Sequence, residues 1–556
     1  MFNKDKTNLI FLFALILIVI VVMLPFREET SGDDYAYALT VKHFVQTGNF
    51  QLSQATAAAL VFLAVWGSLF SKVFGFSLKT LHLSVVVFLP ILSAAVYFLL
   101  REFKLERTKS FFATILFIST PFIFQYAYSF FTDIPFLTLE VLSIIFYTKA
   151  FKENNHAKFF LGSLFSSLAF LTRQIGIFLC VSALVTFLLF LLWRNRQTSI
   201  SNTFKYLFSI CAPAAVTIVL YLIFFREPTI GQASFFQNVV LANLSSLFSI
   251  HAPVMSRINA WAQLYYRLIE FFWLAMGLFS PLTIIILSSN IKEFLRTKLL
   301  KGALTSLIIF IILIALELIL FPGKVYLGFP LVLYRYEIFP IPWPHIWKYL
   351  VLASFLFLGT CVSINIKKID KGFLQSKLNK IFFFILLSFL LILGSTLLAV
   401  LYYPKYVIPL LPFYLIFFAN LSKKIKLYVP IAILVTAIVF LDSLQMAKLR
   451  YDENGLAQAK AVELKNQGIA AERILPNLEY TWSLWFDVDA KLSEELKRVN
   501  GNKKKAMYPQ TPSSQDYIII SKEHLKYEKL QPDYRLIGIM PFRSLFASSY
   551  LLVIKK

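Results

Sequence analysis

The stretch that decides the fold is Leu9–Leu24, which reads LIFLFALILIVIVVML and contains no polar residue. Similar runs recur from one end of the chain to the other, and about twenty apolar residues suffice to cross the ~30 Å hydrocarbon core of a bilayer as a helix. Of the 556 residues, 58% are hydrophobic and only 15% are charged, against roughly a quarter charged in an ordinary soluble domain. The sequence therefore predicts a polytopic α-helical membrane protein.

The first apolar run follows two lysines, Lys4 and Lys6, as the apolar part of a signal peptide would. The residues after it, Pro25–Glu29, contain no small-residue cleavage site. We therefore expect an uncleaved first span whose N-terminus faces the cytoplasm.

The lysines and arginines, which contribute to a formal charge of +24, lie in short clusters between apolar runs. This distribution is typical of the cytoplasmic loops of membrane proteins and gives no indication of nucleic-acid binding. Two apolar runs separate each cluster from the next. The clusters predicted to be cytoplasmic are Arg101–Lys109, Lys149–Lys158, Arg194–Lys205, Lys292–Lys301, Lys367–Lys380 and Lys423–Lys426.

The hinges between paired runs are poor in basic residues and are therefore predicted to be extracytoplasmic. They fall near Ser129–Asp133, near Arg173, across Arg226–Ala262, across Pro322–Trp347 and near Tyr402–Tyr406. The run Ala55–Phe74 is apolar enough to span, but a span there would invert every later loop, so we expect a helix lying on the outer interface. The prediction is a first span, a long extracytoplasmic loop over residues 27–80 and about twelve further spans, about thirteen in all.

The composition changes after Leu444, where the last predicted span ends. Residues 1–444 are predicted to form the transmembrane domain, and residues 445–556 a small α/β domain outside the membrane. In that domain, Leu456–Gln467 has helical spacing, and three segments rich in Ile, Leu, Val and Tyr are predicted to be strands. The predicted strands are Asp516–Ser521, Tyr534–Met540 and Ser549–Ile554.

No metal site is indicated. The three cysteines, Cys180, Cys211 and Cys361, lie inside apolar runs and lack a metal-ligand or disulfide spacing. His251 is the only histidine in its predicted outside loop, and an isolated histidine is more often an ordinary polar contact.

Three carboxylates stand apart because they fall in the predicted outer loops. Asp33 and Asp34 lie in the segment SGDDYAY (31–37), and Asp133 lies in FTDIP (131–135). An ionisable group at a membrane boundary, with no opposite charge beside it in the sequence, is a functional-site candidate. The alternative is that Asp33 caps a helix starting at Tyr35 and Asp133 caps the following helix, with Pro135 in its first turn.

The order of these motifs resembles the GT-C glycosyltransferases, in particular the protein O-mannosyltransferases and the aminoarabinose transferase of lipid A. In those families an acidic pair follows the first span and a second aspartate follows the third, although the pair is usually Asp-Glu rather than Asp33-Asp34. The further matching segments are Ser119–Pro121, Gly162–Gln174 and Tyr403–Pro409.

The resemblance implies transfer of a sugar from a polyprenyl-phosphate donor to an acceptor hydroxyl on the extracytoplasmic face, with inversion and without a cofactor. Asp33 would be the base, and Asp34 and Asp133 would orient the acceptor or tune Asp33. Three cations, each alone at the outer end of a span, would bind the donor phosphate, or else snorkel to lipid headgroups. They are Arg173, Lys405 and Arg335. The acceptor would be a lipid, a glycan or a protein, and the expected location is a bacterial inner membrane.

Two other functions remain open from the sequence. A transporter or flippase of lipid-linked saccharides would need charges buried inside spans and matched halves. Glu140 and Glu317 are such charges, but the chain shows no convincing internal repeat. A membrane anchor or assembly factor would place the function in the terminal domain, which shows no nucleophile triad, phosphate-binding loop or metal spacing.

Overall fold

The computed structural model describes twelve parts of the chain. These are residues 2–23, 34–52, 59–193, 200–224, 281–282 with 285, 378–397, 404–422, 427–469, 474–476, 517–521, 535–544 and 547–555. The helices in the first half are α1 (Phe2–Met23), α2 (Asp34–Thr47), α3 (Val61–Phe74), α4 (Leu78–Val86), α5 (Phe88–Glu102), α6 (Arg107–Ile118), α7 (Pro121–Ala127), α8 (Asp133–Glu153), α9 (His156–Thr172), α10 (Ile177–Trp193) and α11 (Ile200–Phe224). Later helices are α12 (Leu378–Leu397), α13 (Leu411–Ser422) and α14 (Val429–Asn466), and two 3-10 helices cover Gln174–Gly176 and Pro404–Leu410.

Seven helical segments in the described part are long and apolar enough to cross a membrane. They are Asp5–Met23, Leu78–Glu102, Asp133–Glu153, Gln174–Leu191, Ile200–Ile223, Lys380–Leu397 and Val429–Asn466. The predicted polytopic helical membrane fold is confirmed. The total of about thirteen spans stays a prediction, because several of them fall in residues 225–280 and 286–377, which are mostly outside the described residues.

Helix α1 has apolar side chains both on the face that packs against the protein and on the face that is exposed. Leu12, Ile16 and Val19 recur at helical spacing and are buried against the rest of the protein. On the other face, Phe11 and Leu17 are about as apolar and yet are exposed by 61% and 62%. A helix that is apolar on all sides and only partly covered by protein fits the prediction of a membrane span.

At one end of the bundle, charged groups from the predicted cytoplasmic clusters pair with one another. Tyr97 donates a hydrogen bond to Oδ1 of Asp5 over 2.7 Å, and Nε of Arg107 lies 3.0 Å from the same oxygen. Nζ of Lys152 donates to Oε1 of Glu102 over 2.6 Å. The N-terminal end of α1 and the C-terminal ends of α5 and α8 therefore meet, as the predicted topology requires.

Helix α8 sets the distance from that end to the other. It has 21 residues, which makes it about 30 Å long, so Asp133 and Lys152 lie at opposite ends of the bundle. Helix α9 packs closely along α8. Ser143 donates a hydrogen bond to the carbonyl oxygen of Gly162 over 2.9 Å. A Cβ atom at Gly162 would come within 2.8 Å of the Tyr147 ring, so this close approach requires glycine.

The segment predicted to form the outer loop contains two short helices. Helices α2 and α3 have 14 residues each, or about 21 Å, less than the ~30 Å needed to cross. Helix α3 begins at Val61 rather than at the predicted Ala55, and residues 53–58 lie outside the described part. Trp66 ties α3 to α4 by donating to the carbonyl oxygen of Ser84 over 2.9 Å. The interfacial position of α3 stays a prediction.

The strands in the described part of the chain form a sheet against α14. The strands are β1 (Ile474–Pro476), β2 (Tyr517–Ser521), β3 (Arg535–Ser544) and β4 (Ala547–Lys555). Their order is β1-β2-β4-β3, with β1 and β2 parallel and the other pairs antiparallel. Three of the strands overlap the three predicted ones, which confirms those predictions, whereas β1 was not predicted.

Helix α14 runs without interruption from the last predicted span, past Leu444, to Asn466, over 38 residues. It therefore includes the helix predicted over Leu456–Gln467, which is confirmed to within one residue. Ala457 and Ala461 in its polar half pack with Ile519 and Val553 of the sheet. This packing stabilises the continuous helix, and the predicted exit from the membrane at Leu444 stays a prediction. The domain boundary at 444/445 is a prediction that the structure leaves open.

Candidate functional site

The centre of the candidate site is an ion pair between Asp133 and Arg173. Nη1 of Arg173 donates a hydrogen bond to Oδ1 of Asp133. The two side chains are exposed by only 13% and 1%, respectively. Both residues were predicted as site residues in separate loops, where neither has an opposite charge beside it in the sequence; in the structure they pair with each other.

Local backbone geometry places the two partners. Helix α8 has Thr132 at its N-cap with no side-chain cap bond, so Asp133 is the first helical residue and the interpretation of Asp133 as the cap is wrong. Helix α9 ends at Thr172 because Arg173 is extended, with φ −147° and ψ 132°. The amide of Gly176 then bonds the carbonyl oxygen of Arg173 over 3.0 Å. This turn leaves the arginine side chain beside the start of α8.

Aromatic residues surround the guanidinium. The Cζ atom of Arg173 lies 5.7 Å from the centre of the Tyr406 ring, within the range of a cation–π contact. Burial lowers the pKa of Arg173, but Asp133, Tyr406 and Tyr37 outweigh it, and the net pKa is raised above its usual value. The arginine is therefore held as a cation at the membrane boundary.

A second polar pair joins the segment SGDDYAY (31–37), called the acidic loop below, to α4 through Asp34. Asp34, the first residue of α2, is fully buried, and its Oδ2 lies 3.3 Å from Nε2 of His82. The histidine is also buried, and its Nδ1 has no hydrogen-bond partner among the described residues. Asp34 was predicted as a site residue but His82 was not, since the spacing of a single histidine in an apolar run does not indicate its partner.

The two pairs belong to one region. Tyr37, one turn after Asp34, packs its ring edge-to-face against Phe131 with centroids 6.3 Å apart. Tyr126 packs against the same ring at 5.0 Å. Tyr37 also contributes to the electrostatic environment of Arg173. The first turn of α2 and the loop before α8 therefore meet, as the predicted shared face requires.

The other predicted site residues are placed less fully. Asp33 and Arg335 lie outside the described residues, and so does His251, which was not predicted to be a site residue. Lys405 lies in the 3-10 helix Pro404–Leu410, directly before Tyr406, and only its backbone is described. Its segment thus reaches Arg173, but no contact of the Lys405 side chain is known.

The arrangement can hold an anion beside a carboxylate. Arginine has five N–H donors, so a guanidinium bound by one carboxylate can still meet phosphate oxygens. In the residues that the structure covers, no group of three or more His, Cys, Asp or Glu side chains is placed to hold a metal ion. The site chemistry available from the described residues is that of carboxylates, one arginine, one histidine and tyrosine rings.

Part of the chain is similar to a known protein family. Residues 59–222 match the family model described as dolichyl-phosphate-mannose-protein mannosyltransferase. This stretch contains His82, Asp133 and Arg173, and it begins after the acidic loop. The predicted resemblance is confirmed over this stretch: residues 59–222 are similar to the protein O-mannosyltransferases. The apolar helices show an integral membrane protein.

Solved structures give weaker similarities. The chain is 14% identical to the ArnT protein of Cupriavidus metallidurans bound to undecaprenyl phosphate, with 98% of this chain and 97% of that chain covered at a TM-score of 0.37. It is 13% identical to the oligosaccharyltransferase AglB of Archaeoglobus fulgidus, with 95% and 71% covered and a TM-score of 0.43.

A third solved structure is the Pmt1-Pmt2 complex of S. cerevisiae, a protein O-mannosyltransferase bound to the sugar donor. The identity is 16%, the coverage is 46% of this chain and 38% of that chain, and the TM-score is 0.32. These low scores add nothing to the argument about function. No curated protein matches the sequence.

Proposed function

We propose that the protein transfers a sugar from a polyprenyl-phosphate donor to an acceptor hydroxyl on the extracytoplasmic face, with inversion at the anomeric carbon. The observation that carries this proposal is the buried arginine, Arg173, held by Asp133 in the region that contains Asp34. A fixed cation at the membrane boundary suits a phosphate whose lipid tail stays in the bilayer. The description of the matched family model names a lipid-phosphate-linked sugar, which supports the donor class.

The reaction needs a base and a cation. Asp33 takes the proton of the acceptor hydroxyl, and the oxygen attacks the anomeric carbon from the face opposite the phosphate. The bond between the anomeric carbon and the phosphate oxygen breaks, and its electron pair leaves with the phosphate. Arg173, assisted by Lys405 and Arg335, neutralises the charge that develops on the departing phosphate.

The contacts of the other two aspartates refine their proposed roles. Asp133 is bonded to Arg173, so we assign it to holding the phosphate-binding cation rather than to orienting the acceptor. Asp34 is fully buried against His82, which supports a role in placing Asp33 rather than direct contact with the acceptor.

The proposed location is a bacterial inner membrane, with the N-terminus in the cytoplasm and the C-terminal domain outside. Support comes from the two ends of α8. Lys152 and the first basic cluster gather at one end, whereas Asp133 and Arg173 lie at the other. By the positive-inside rule, the basic end faces the cytoplasm.

A transporter or flippase of lipid-linked saccharides is the second candidate, and one observation favours it. Glu140 is buried inside α8, and neither carboxylate oxygen has a hydrogen-bond partner among the described residues. An ionisable side chain inside a span is a candidate element of a transport path. Glu140 alone does not supply the matched halves that such transporters use.

The test is sugar transfer from radiolabelled polyprenyl-phosphate sugars in membranes that contain the wild-type chain or Asp33→Asn. We expect transfer by the wild type and a loss of about a hundredfold or more in the variant, because general-base catalysis contributes roughly that much. Glu106→Gln is the control: Glu106 precedes α6, and its side chain is 69% exposed. Transfer that survives unchanged in Asp33→Asn, or no transfer from any donor, would contradict the proposal.

A further inference from the structure

His82, the partner of Asp34, is a buried polar residue to which the proposed reaction assigns no role yet. The carboxylate oxygen and Nε2 are 3.3 Å apart, and the side chains are exposed by 0% and 2%. The partners lie 48 residues apart in the chain. The pair therefore joins the start of α2 to α4, which lies in the segment Leu78–Glu102 that is long and apolar enough to cross a membrane.

Ordinary packing does not account for a histidine here. The residues beside it, Leu81 and Ser84, are buried as well, so position 82 lies in a dry environment. Burying an imidazole without full hydrogen bonding costs free energy that a leucine would not cost. Nε2 faces Oδ2 of Asp34, and Nδ1 has no partner among the described residues. The hydrogen bond to Asp34 is thus the polar contact that the ring is seen to make.

The pair fixes the place where the acidic loop enters α2. Asp34 is the first residue of α2, and consecutive Cα atoms are about 3.8 Å apart. An anchor on Asp34 therefore restricts the position of Asp33. The same first turn carries Tyr37, whose ring packs on Phe131 in front of α8. Holding this turn keeps Tyr37 beside Phe131 and close to the Asp133–Arg173 pair.

We propose that His82 is a positioning residue for the transfer reaction: by holding Asp34 it places the neighbouring carboxylate of Asp33 for proton removal. The inference rests on the proposed function. A positioning role affects the chemical step more than donor binding, since the lipid-phosphate contacts are assigned to Arg173 and its assisting cations.

The experiment compares purified wild type, His82→Leu and His82→Gln in sugar transfer. Glutamine can place an amide N–H near the position of Nε2, whereas leucine keeps the volume and removes the donor. We expect His82→Leu to lower kcat about tenfold to a hundredfold, the loss typical for a hydrogen bond to a charged group, with the donor KM changed less than about twofold. His82→Gln should recover most of that loss.

Two further measurements keep the outcome clear. His43→Leu is the control, because His43 lies on α2 and is partly exposed. Thermal stability of each variant in the same detergent separates misfolding from lost positioning. If His82→Leu does not fold, the Gln variant alone decides, and a kcat below a tenth of wild type at unchanged stability overturns the proposal.

The outcomes of the inference and of the proposed function can be told apart. Wild-type kcat in His82→Leu, or an equal loss in His82→Leu and His82→Gln, overturns the role of His82 while wild-type transfer stands. No transfer by the wild type overturns the proposed function and, with it, the inference that rests on it.

Discussion

The contribution of the Asp133–Arg173 pair to the unfolding free energy can be measured by removing each partner and then both. The variants are Asp133→Leu, Arg173→Met and the double variant. Because the side chains are exposed by only 1% and 13%, each single change leaves a charge with little access to water. Removing one member of a buried pair typically costs about 3–5 kcal/mol of unfolding free energy. Loss of the carboxylate from the first turn of α8 adds about 0.3–1 kcal/mol.

The double variant should behave differently. Replacing a buried ion pair by apolar residues of similar volume is often neutral, so the double variant should lose less than either single one. The resulting coupling free energy should be about 3 kcal/mol or more, well above the ~0.5 kcal/mol expected for independent sites. The double variant should fold and yet transfer no sugar, because it lacks the phosphate-binding cation.

The assay is reversible unfolding in mixed micelles with a rising fraction of denaturing detergent, followed for all four proteins. The control pair is Lys158–Glu153, whose side chains are exposed by 27% and 49%, and which should show a coupling below about 1 kcal/mol. Single variants that each cost less than about 1 kcal/mol, with additive effects, would refute the claim that this is a buried pair on which the site depends.

Two further predictions concern packing and the guanidinium. Gly162→Ala should lower the unfolding free energy by about 1–3 kcal/mol, because the added Cβ meets the Tyr147 ring; Gly394→Ala, which meets nothing within 4 Å, should be neutral or stabilising by up to ~1 kcal/mol in the same micelle assay. A loss in both variants, or in neither, would contradict this. Tyr406→Leu should reduce the kcat/KM of transfer about twofold to thirtyfold by removing the cation–π contact with Arg173, whereas Tyr406→Phe should retain most activity; equal effects of the two changes would show that the ring does not matter.

The membrane fold could be predicted because its signal is local. The length and composition of each apolar run predict a membrane-spanning helix, and the short basic clusters predict which loops face the cytoplasm. The ends of the terminal elements were less predictable. Helix α14 continues through the change in composition at Leu444 because its polar half packs against Ile519 and Val553 of the sheet. Such contacts with residues distant in sequence cannot be predicted from local composition.

The site was predictable in its members and not in its contacts. Asp133 and Arg173 could be singled out because each is an ionisable residue in a hinge between apolar runs. That they bond to each other depends on the packing of α8 along α9 and on the extended backbone at Arg173, which no spacing rule gives. His82 was not predicted as a site residue because its partner, Asp34, is distant in sequence and lies on another helix.

Proteoliposomes allow a direct test of whether the protein breaks the bond between a sugar and a lipid phosphate. Purified protein would be given a doubly labelled polyprenyl-phosphate sugar and an acceptor extract, and the released polyprenyl phosphate would be measured against the sugar transferred. We predict equal amounts of the two products with wild-type protein and neither with Asp33→Asn. Movement of the intact lipid-linked sugar across the bilayer, with no released polyprenyl phosphate, would contradict the proposed glycosyl transfer and establish transport instead.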